Sequence, residues 1–323
     1  MKHNFEIDAV ILWVDGEDSH HQEKLSKYLP SNLSVNTKSL KKRLFQVNEI
    51  EYTVNSILKY APFIRKIFIV TDDQVPEFLK NKDDSNKYGN VIIVDHTIVF
   101  KGYEEYLPIF NSSGIETMVD KIPELSEHYI YFNDDMILIR DTEPSDFFTE
   151  KGLPIIRGKI SKFEDDKLLK KIPTILKLKK RKIEGYLGYK RTQDYTARLL
   201  GDRRKICIDH TPFSFRKSTM TNFFKENKSL LITNINKKFR HENLLMLQTI
   251  SAHLEYRLDK NVLKSDYQLI RFDSPKKSLI WIKFRLLMCR LNPKIIFMNL
   301  NSLNLYSRKK LNYILNWLSK NNS

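Results

Sequence analysis

Four short apolar runs, three of them closed by acidic residues at a turn, constrain this 323-residue chain more than any other feature. Ile7 to Val14 ends in Asp15-Gly16, Ile64 to Thr71 ends in Asp72-Asp73, Val91 to Asp95 follows, and Tyr129 to Phe132 ends in Asn133-Asp134-Asp135. Runs apolar on both faces suit buried parallel strands. Between the first two, Ile50, Val54, Ile57, Leu58 and Ala61 keep helical spacing, with Asn48 as the expected cap and Pro62 as the stop. Before the fourth, Ser112 or Ser113 is expected to cap a helix carrying Ile115, Met118, Val119 and Ile122 on one face. The alternation predicts an α/β core over residues 1–148, a parallel sheet with helices on its faces. Ligands of open α/β sheets bind beyond the carboxyl ends of the strands, where these acids would gather. Asp and Asn also make ordinary turns, but three acidic endings favour a site.

The rest of the chain reads less clearly. Residues 149–206 are Lys-rich and weakly periodic, broken by Pro154, Pro173, Gly185 and Gly188, and are expected to form an insertion or lid. Within them, Lys177 to Lys182 reads as a solvated basic face. Residues 207–273 are taken as the remainder of the catalytic core, with one long helix through Leu244, Leu245, Gln248, Ile250, Ser251 and Leu254. His20, His21 and His253 read as surface or helix residues, and Trp13 as core. Residues 274–323 should form two or three basic amphipathic helices. They hold ten Lys and Arg and no acid, and so supply +10 of the net +16. Such charge attracts polyanions. Apolar residues such as Trp281, Phe284 and Leu287, interleaved with Lys283 and Arg285, suit either a helix on an anionic bilayer or one packed on the catalytic domain.

Hydrophobic content of 41% and aromatic content of 11% exclude a disordered chain. Two cysteines, Cys207 and Cys289, form neither a disulfide framework nor a four-thiolate zinc site. No run reaches the ~18 apolar residues of a membrane span, and the first is shorter than the ~7–15-residue core of a signal peptide. A cytoplasmic protein, peripheral at most on the inner membrane, is expected. There is no GxGxxG and no GxxxxGK[ST], which disfavours dinucleotide oxidoreductases and P-loop kinases. Neither HExxH nor CxxC occurs, so zinc hydrolysis has no support. Adjacent carboxylates such as Asp134-Asp135 can hold Mg²⁺ or Mn²⁺, hard cations that bridge to phosphate oxygens.

Taken in order, the segments resemble a known family. Ile7 to Asp18 (IDAVILWVDGED) is similar to the first conserved block of the Stealth proteins, the sugar-phosphate transferases of bacterial capsule synthesis, whose eukaryotic relative is the N-acetylglucosamine-1-phosphotransferase of lysosomal enzyme tagging. The second block covers roughly Arg43 to Arg140 and includes Asn48-Glu49-Ile50-Glu51-Tyr52, Tyr60-Ala61-Pro62-Phe63-Ile64-Arg65, Leu107-Pro108-Ile109-Phe110-Asn111-Ser112 and Asn133-Asp134-Asp135. A third resembles His210-Thr211-Pro212 with Arg216-Lys217-Ser218, followed by Phe239-Arg240-His241. Two departures stand out: Gln46 replaces an Asp of the family's Arg-Phe-x-Asp, and Phe297-Met298-Asn299-Leu300-Asn301 lacks the Asp of the fourth block, leaving Asn299 or Asn301 in its place.

The resemblance implies a Rossmann-like, GT-A-like nucleotide-sugar-binding core that moves a hexose-1-phosphate from a UDP-sugar donor to a hydroxyl of a growing capsular glycan, releasing UMP. Such displacement at phosphorus needs charge neutralisation and positioning. Asp134 and Asp135 would hold Mg²⁺ or Mn²⁺, and Arg216 and Arg240 would bind phosphate oxygens. His210 is the expected base. Asp15 or Asp18 would orient it, replace it or hold the sugar. Asn111 and Ser112 are expected on the donor, and Arg43, Asn133, Lys217 and His241 are further substrate contacts. Two alternatives are a metal-dependent glycosyltransferase that releases UDP and, in another class, a basic nucleic-acid-binding protein. The acidic strand ends argue against nucleic acid as a partner.

Overall fold

The computed structural model describes residues 5–29, 47–80, 86–166 and 188–322. Its strands are β1 (Ile7–Leu12), β2 (Ile64–Thr71), β3 (Val91–Asp95), β4 (His128–Asn133), β5 (Met136–Leu138), β6 (Ile156–Ser161), β7 (Lys205–Ile208), β8 (Phe213–Arg216), β9 (Leu263–Lys264), β10 (Leu269–Phe272) and β11 (Phe297–Leu300). Its helices are α1 (Ser19–Tyr28), α2 (Glu49–Tyr60), α3 (His96–Val99), α4 (Ser112–Glu116), α5 (Tyr189–Leu199), α6 (Lys217–Glu226), α7 (Lys228–Ile235), α8 (Leu247–Leu258), α9 (Leu279–Leu291) and α10 (Arg308–Asn322).

The first sheet has the order β3-β2-β1-β4-β8. β1 to β4 are mutually parallel and β8 runs antiparallel to β4. The four sequence-predicted strands are these four, and the chain is an α/β protein. β1 is covered on both faces. Val10 packs with Phe68, Val70, Tyr129 and Tyr131 on one side, and Ala9 and Ile11 meet Ile67, Ile69 and the α2 residues Ile50, Val54 and Ile57 on the other. The one charge inside β1, Asp8, is fully buried and satisfied. Arg65 grips it with a fork at 3.0 and 2.7 Å, and the amides of Lys66 and Ser126 donate to it. A buried carboxylate is tolerated only when so paired.

Local capping differs from expectation. Asn48 does precede α2, but its φ of 60° leaves its side chain out of the cap, and Glu49 accepts the Val47 amide at 2.7 Å instead. α4 is capped by Asn111, which accepts the Gly114 amide at 2.8 Å, and not by Ser112 or Ser113. The helix of the 207–273 segment starts only at Leu247, and the amides of Leu245 and Met246 just before it are taken by the side chains of Asn234 and Thr196.

The described parts of 149–206 are built into the core. β6 pairs with β7 and β9, and Ile156, Ile206 and Ile208 share a hydrophobic cluster with β4. Buried Lys205 is held by Asp194 at 2.6 Å and Glu164 at 3.3 Å. The Lys177 to Lys182 run lies outside the described residues. His20, His21 and His253 lie in helices, one of the two placements expected, and His21 and His253 are buried there. His253 meets Asp202 at 2.8 Å and accepts the Ile206 amide.

A second sheet, β10-β11-β5, joins the middle of the chain to its last fifth. β11 was not legible in the sequence. It runs parallel to β10 and antiparallel to β5, and α9 and α10 cover the sheet with Ile282, Leu286, Cys289, Ile314, Trp317 and Leu318. The inner faces of the basic helices are therefore core. Both cysteines are free, and burial pushes the Cys289 thiol up to about 12. Among the described residues, no helix is long and apolar enough to cross a membrane. Leu318 is fully buried, so Leu318→Ala should cost about 2–5 kcal/mol in urea unfolding through the cavity it leaves. A smaller effect would show that α10 is dispensable to the core.

Candidate active site

Parallel pairing brings the carboxyl ends of β1 to β4 to one edge, with Leu12 opposite both Val70 and Asn133. The turn Asn133-Asp134-Asp135 lies on that edge, between the last residue of β4 and the first of β5. Its backbone is pinned three times: Thr53 of α2 donates its hydroxyl to the Asp134 carbonyl at 2.7 Å, and the Asp135 carbonyl accepts from the Leu300 amide at 2.9 Å and the Asn299 side chain at 3.4 Å. Asn133, Asp134 and Asp135 are half-buried. Burial, the charge of Asp135 and that of Glu49 raise Asp134 well above the usual carboxylate range. Burial likewise raises Asp135 to about 6, although Asn299 and Arg271 pull it down. Asp135 Oδ1 and Asn299 Oδ1 are both buried with no hydrogen-bond partner.

Among the described residues, no group of three or more His, Cys, Asp or Glu side chains is arranged to hold a metal ion. Oxygen donors with an orphaned carboxylate atom and mutual repulsion nevertheless fit a hard cation of the Mg²⁺ type, which takes one or two carboxylates and completes its shell with water and substrate phosphate. Asn299, standing where the family's Asp is missing, points an amide at this turn. Asn301 does not: its side chain accepts from Ser302.

The β1 and β2 ends are arranged differently. Asp15 exchanges main-chain hydrogen bonds with the Gln74 side chain at 2.9 and 3.0 Å, and its own carboxylate takes the Glu17 amide. Asp18 caps α1 through the His21 amide at 2.7 Å. Asp72 is neutralised in place by Lys24, 3.0 Å from each oxygen. Burial would raise its pKa, but His21, Lys24 and His96 outweigh that and hold it well below the usual range.

His210 sits in the connection from β7 to β8. Because Phe213 pairs with Tyr131, that connection reaches the same edge as the acid turn. Its ring lies 4.2 Å from that of Tyr189. Its neighbour Asp209 binds Arg271 at 2.7 Å, and Asp209 also accepts the His210 amide. Burial, then Arg271, pushes the His210 pKa down to about 4, so the ring is neutral at pH 7. The charge of Arg271 acts on both His210 and Asp135. Arg240 acts on His210 and on buried Glu116, which accepts from Tyr131 and Gln248. The Arg240 loop is held by Phe110, which stacks on Phe239 at 5.4 Å and donates its amide to the Lys238 carbonyl at 2.7 Å. His241 and Ser112 remain half-exposed beside it.

Several expectations are corrected. Arg216 pairs with His128 at the far end of β4, five residues from Asn133, which puts it about 17 Å from the acid turn. There it forms a fork with buried Glu255 at 3.0 and 2.9 Å, so it is structural. Lys217, beside it, donates to main-chain carbonyls of Glu127 and Leu125. Asn111 is buried and spent on capping α4 and on the Lys237 carbonyl, so it holds a loop and does not face a donor. Asp209 accepts the His210 main-chain amide, while Asp15 and Asp18 are engaged at the β1 end. Arg43 lies outside the described residues. Asp209, Arg271 and Glu49 were missed, and only the adjacency of Asp209 to His210 could have flagged one of them.

Comparison with known proteins identifies relatives of the chain. Residues 5–33 match the Stealth protein conserved region 1, and residues 43–156 match conserved region 2. The capsular polysaccharide phosphotransferase LcbA of Neisseria meningitidis is 34% identical over 274 residues, 81% of this chain and 68% of that protein. The chain belongs to the Stealth family. The exopolysaccharide phosphotransferase cps2G of Lactiplantibacillus plantarum is 40% identical over 150 residues, but the match spans 46% of this chain and 41% of that protein. Among solved structures, the galactosyltransferase LgtC with donor and acceptor sugar analogues aligns over 97% of this chain and 95% of its own, at 10% identity and a TM-score of 0.45.

Folded Asp135 takes up a proton more readily than an unfolded Asp, whose pKa is ~3.9. Its favourable contribution is therefore complete below that value and lost as pH rises through about 6. Asp135→Asn should stabilise the metal-free protein at pH 7 by ~1–2 kcal/mol and leave it little changed near pH ~4. Urea unfolding at the two pH values measures this, and destabilisation at pH 7 would contradict it.

Proposed function

We propose that the chain moves an (N-acetyl)hexosamine-1-phosphate from a UDP-sugar to a hydroxyl of a growing capsular glycan. The acceptor oxygen forms a bond to the sugar-bearing phosphorus, the diphosphate bridge breaks, and UMP leaves with a phosphodiester as product. The observation that carries this reading is the meeting, on one sheet edge, of the Asp134-Asp135 turn with Asp209, His210, Arg240 and Arg271. It is supported by family membership and by relatives named as polysaccharide phosphotransferases.

Phosphoryl transfer asks a protein for positioning and charge stabilisation more than for covalent help. Neutral His210, held against Tyr189 beside Asp209, is the group to take the proton of the acceptor hydroxyl. Arg240 supplies a fixed cation for phosphate oxygens, with Arg271 as a second. Asp134 and Asp135, with the Asn299 carbonyl oxygen, would hold Mg²⁺ or Mn²⁺. That cation would neutralise the diphosphate. Asn133, Ser112, His241 and Asp15 would contact the donor, while Asp18 caps α1. The protein would work in the cytoplasm, peripherally on the inner membrane.

Incubation with UDP-N-acetylhexosamines and a glycan acceptor should release UMP. Release of UDP would mean that the sugar moves without its phosphate, and the reading would fail. His210→Ala should lower the rate by ~10²–10⁴-fold with donor affinity little changed. If donor binding collapses instead, His210 is a substrate contact and not the base.

The pH profile offers an independent check. His210 loses its basic form only near its pKa of about 4. The acid limb of kcat/KM assigned to this residue should therefore fall well below the ~6.5 of an ordinary histidine. A limb at ~6.5 that shifts in a His210 variant would refute the depressed pKa.

A further inference from the structure

α9 has two apolar faces, and only one of them is used. Ile282, Leu286 and Cys289 face the second sheet and are 0–2% exposed. On the opposite side, Ile280, Phe284, Leu287 and Leu291 are 79%, 58%, 48% and 68% exposed. Their spacing of four, three and four residues places them on one stripe, about 16 Å long at helical rise. Isolated exposed apolar residues are ordinary, but four aligned on one helix mark an interaction surface.

The charges in the segment that carries the stripe, residues 274–323, are all of one sign. Lys276, Lys277, Lys283, Arg290 and Lys294 are exposed along or beside it. No Asp or Glu occurs from residue 274 to 323, so α10, which packs on α9, adds only cations. The nearest acid in sequence, Asp273, lies 3.7 Å from Arg271. Two copies of this face meeting across a dimer axis would oppose cation to cation with no acid in the segment to pair them. A surface that accepts apolar side chains and presents negative charge suits both features.

We infer that the outer face of α9 docks on an anionic lipid bilayer, with Ile280, Phe284, Leu287 and Leu291 entering the acyl boundary and the flanking Lys and Arg meeting the headgroups. An amphipathic helix with basic flanks binds membranes in this way, lying in the interfacial plane. α9 is already anchored by its inner face, so docking needs no unfolding. The inference gives the peripheral placement proposed above a specific surface, and its test does not depend on which phosphate product is released.

The full chain should co-sediment with phosphatidylcholine vesicles containing phosphatidylglycerol at low salt, more weakly at high salt, and far less with phosphatidylcholine alone. Replacing Phe284, Leu287 and Leu291 together by Ser should lower anionic-vesicle affinity by at least ~10-fold, because apolar insertion adds to headgroup attraction. Those side chains are exposed, so thermal unfolding and donor turnover on a soluble acceptor should stay as in the parent. In a Phe284→Trp variant, brominated anionic lipids should quench the new indole. The inference fails if the parent ignores anionic vesicles at low salt, or if the triple variant binds them equally well. It also fails if the parent forms a dimer that the variant loses while vesicle binding is absent.

Discussion

The backbone from Asn133 to Met136 belongs to two sheets at once. β4 delivers it from the first sheet and β5 takes it into the second, leaving only Asp134 and Asp135 between. Two adjacent carboxylates at a half-buried turn repel each other and resist desolvation. One local contact, from the Asn133 amide to Met136 Sδ at 3.4 Å, spans the turn, and the remaining holds come from far along the chain. The turn's carbonyls are fixed by Thr53, 81 residues upstream, and by Asn299, 164 residues downstream. The position of the acid pair is thus set by the packing of α2 and by the pairing of β5 with β11, and the site inherits the rigidity of both sheets.

A second consequence follows for His210 and its neighbours. β8 is antiparallel to β4, so the loop before β8 and the loop after β4 share an edge, while the residues after β8 are carried to the other end. Strand direction alone thereby separates two residues six apart in sequence: His210 lies in the loop at the acid turn's edge, and Arg216 binds Glu255 at the opposite edge. The far edge is no less specified, since Arg216, Glu255 and Thr219 form a satisfied polar cluster. It holds the sheet rather than a ligand.

How far the sequence disclosed this is a question of period and length. β1 to β4 were legible because strands buried on both faces read as continuous apolar runs, and the acids that end them read directly as edge residues. β5, β10 and β11 are three or four residues long, too short for a period to show, and β11 hid among basic residues that suggested helix. Arg271 was invisible for the same reason, since nothing near residue 271 announces a strand aimed at Asp209. The basic tail was half legible. Its helices and apolar content were evident, but which apolar side chains turn inward depends on a sheet that periodicity could not reveal. Arg216 was misplaced because motif proximity carries no strand direction.

The pairing of β5 with β11 also bears on when the site comes into being. Asp135 is made long before Asn299 and Leu300, and until those residues emerge its carbonyl lacks both downstream partners. During synthesis the first sheet can assemble with the acid turn still loose and the apolar side chains of β5 uncovered. Contacts that span so much sequence form late and slowly. The order of translation therefore delays the downstream hold on the acid turn until the second sheet closes, so a partly made chain presents an α/β scaffold before that turn is fully fixed.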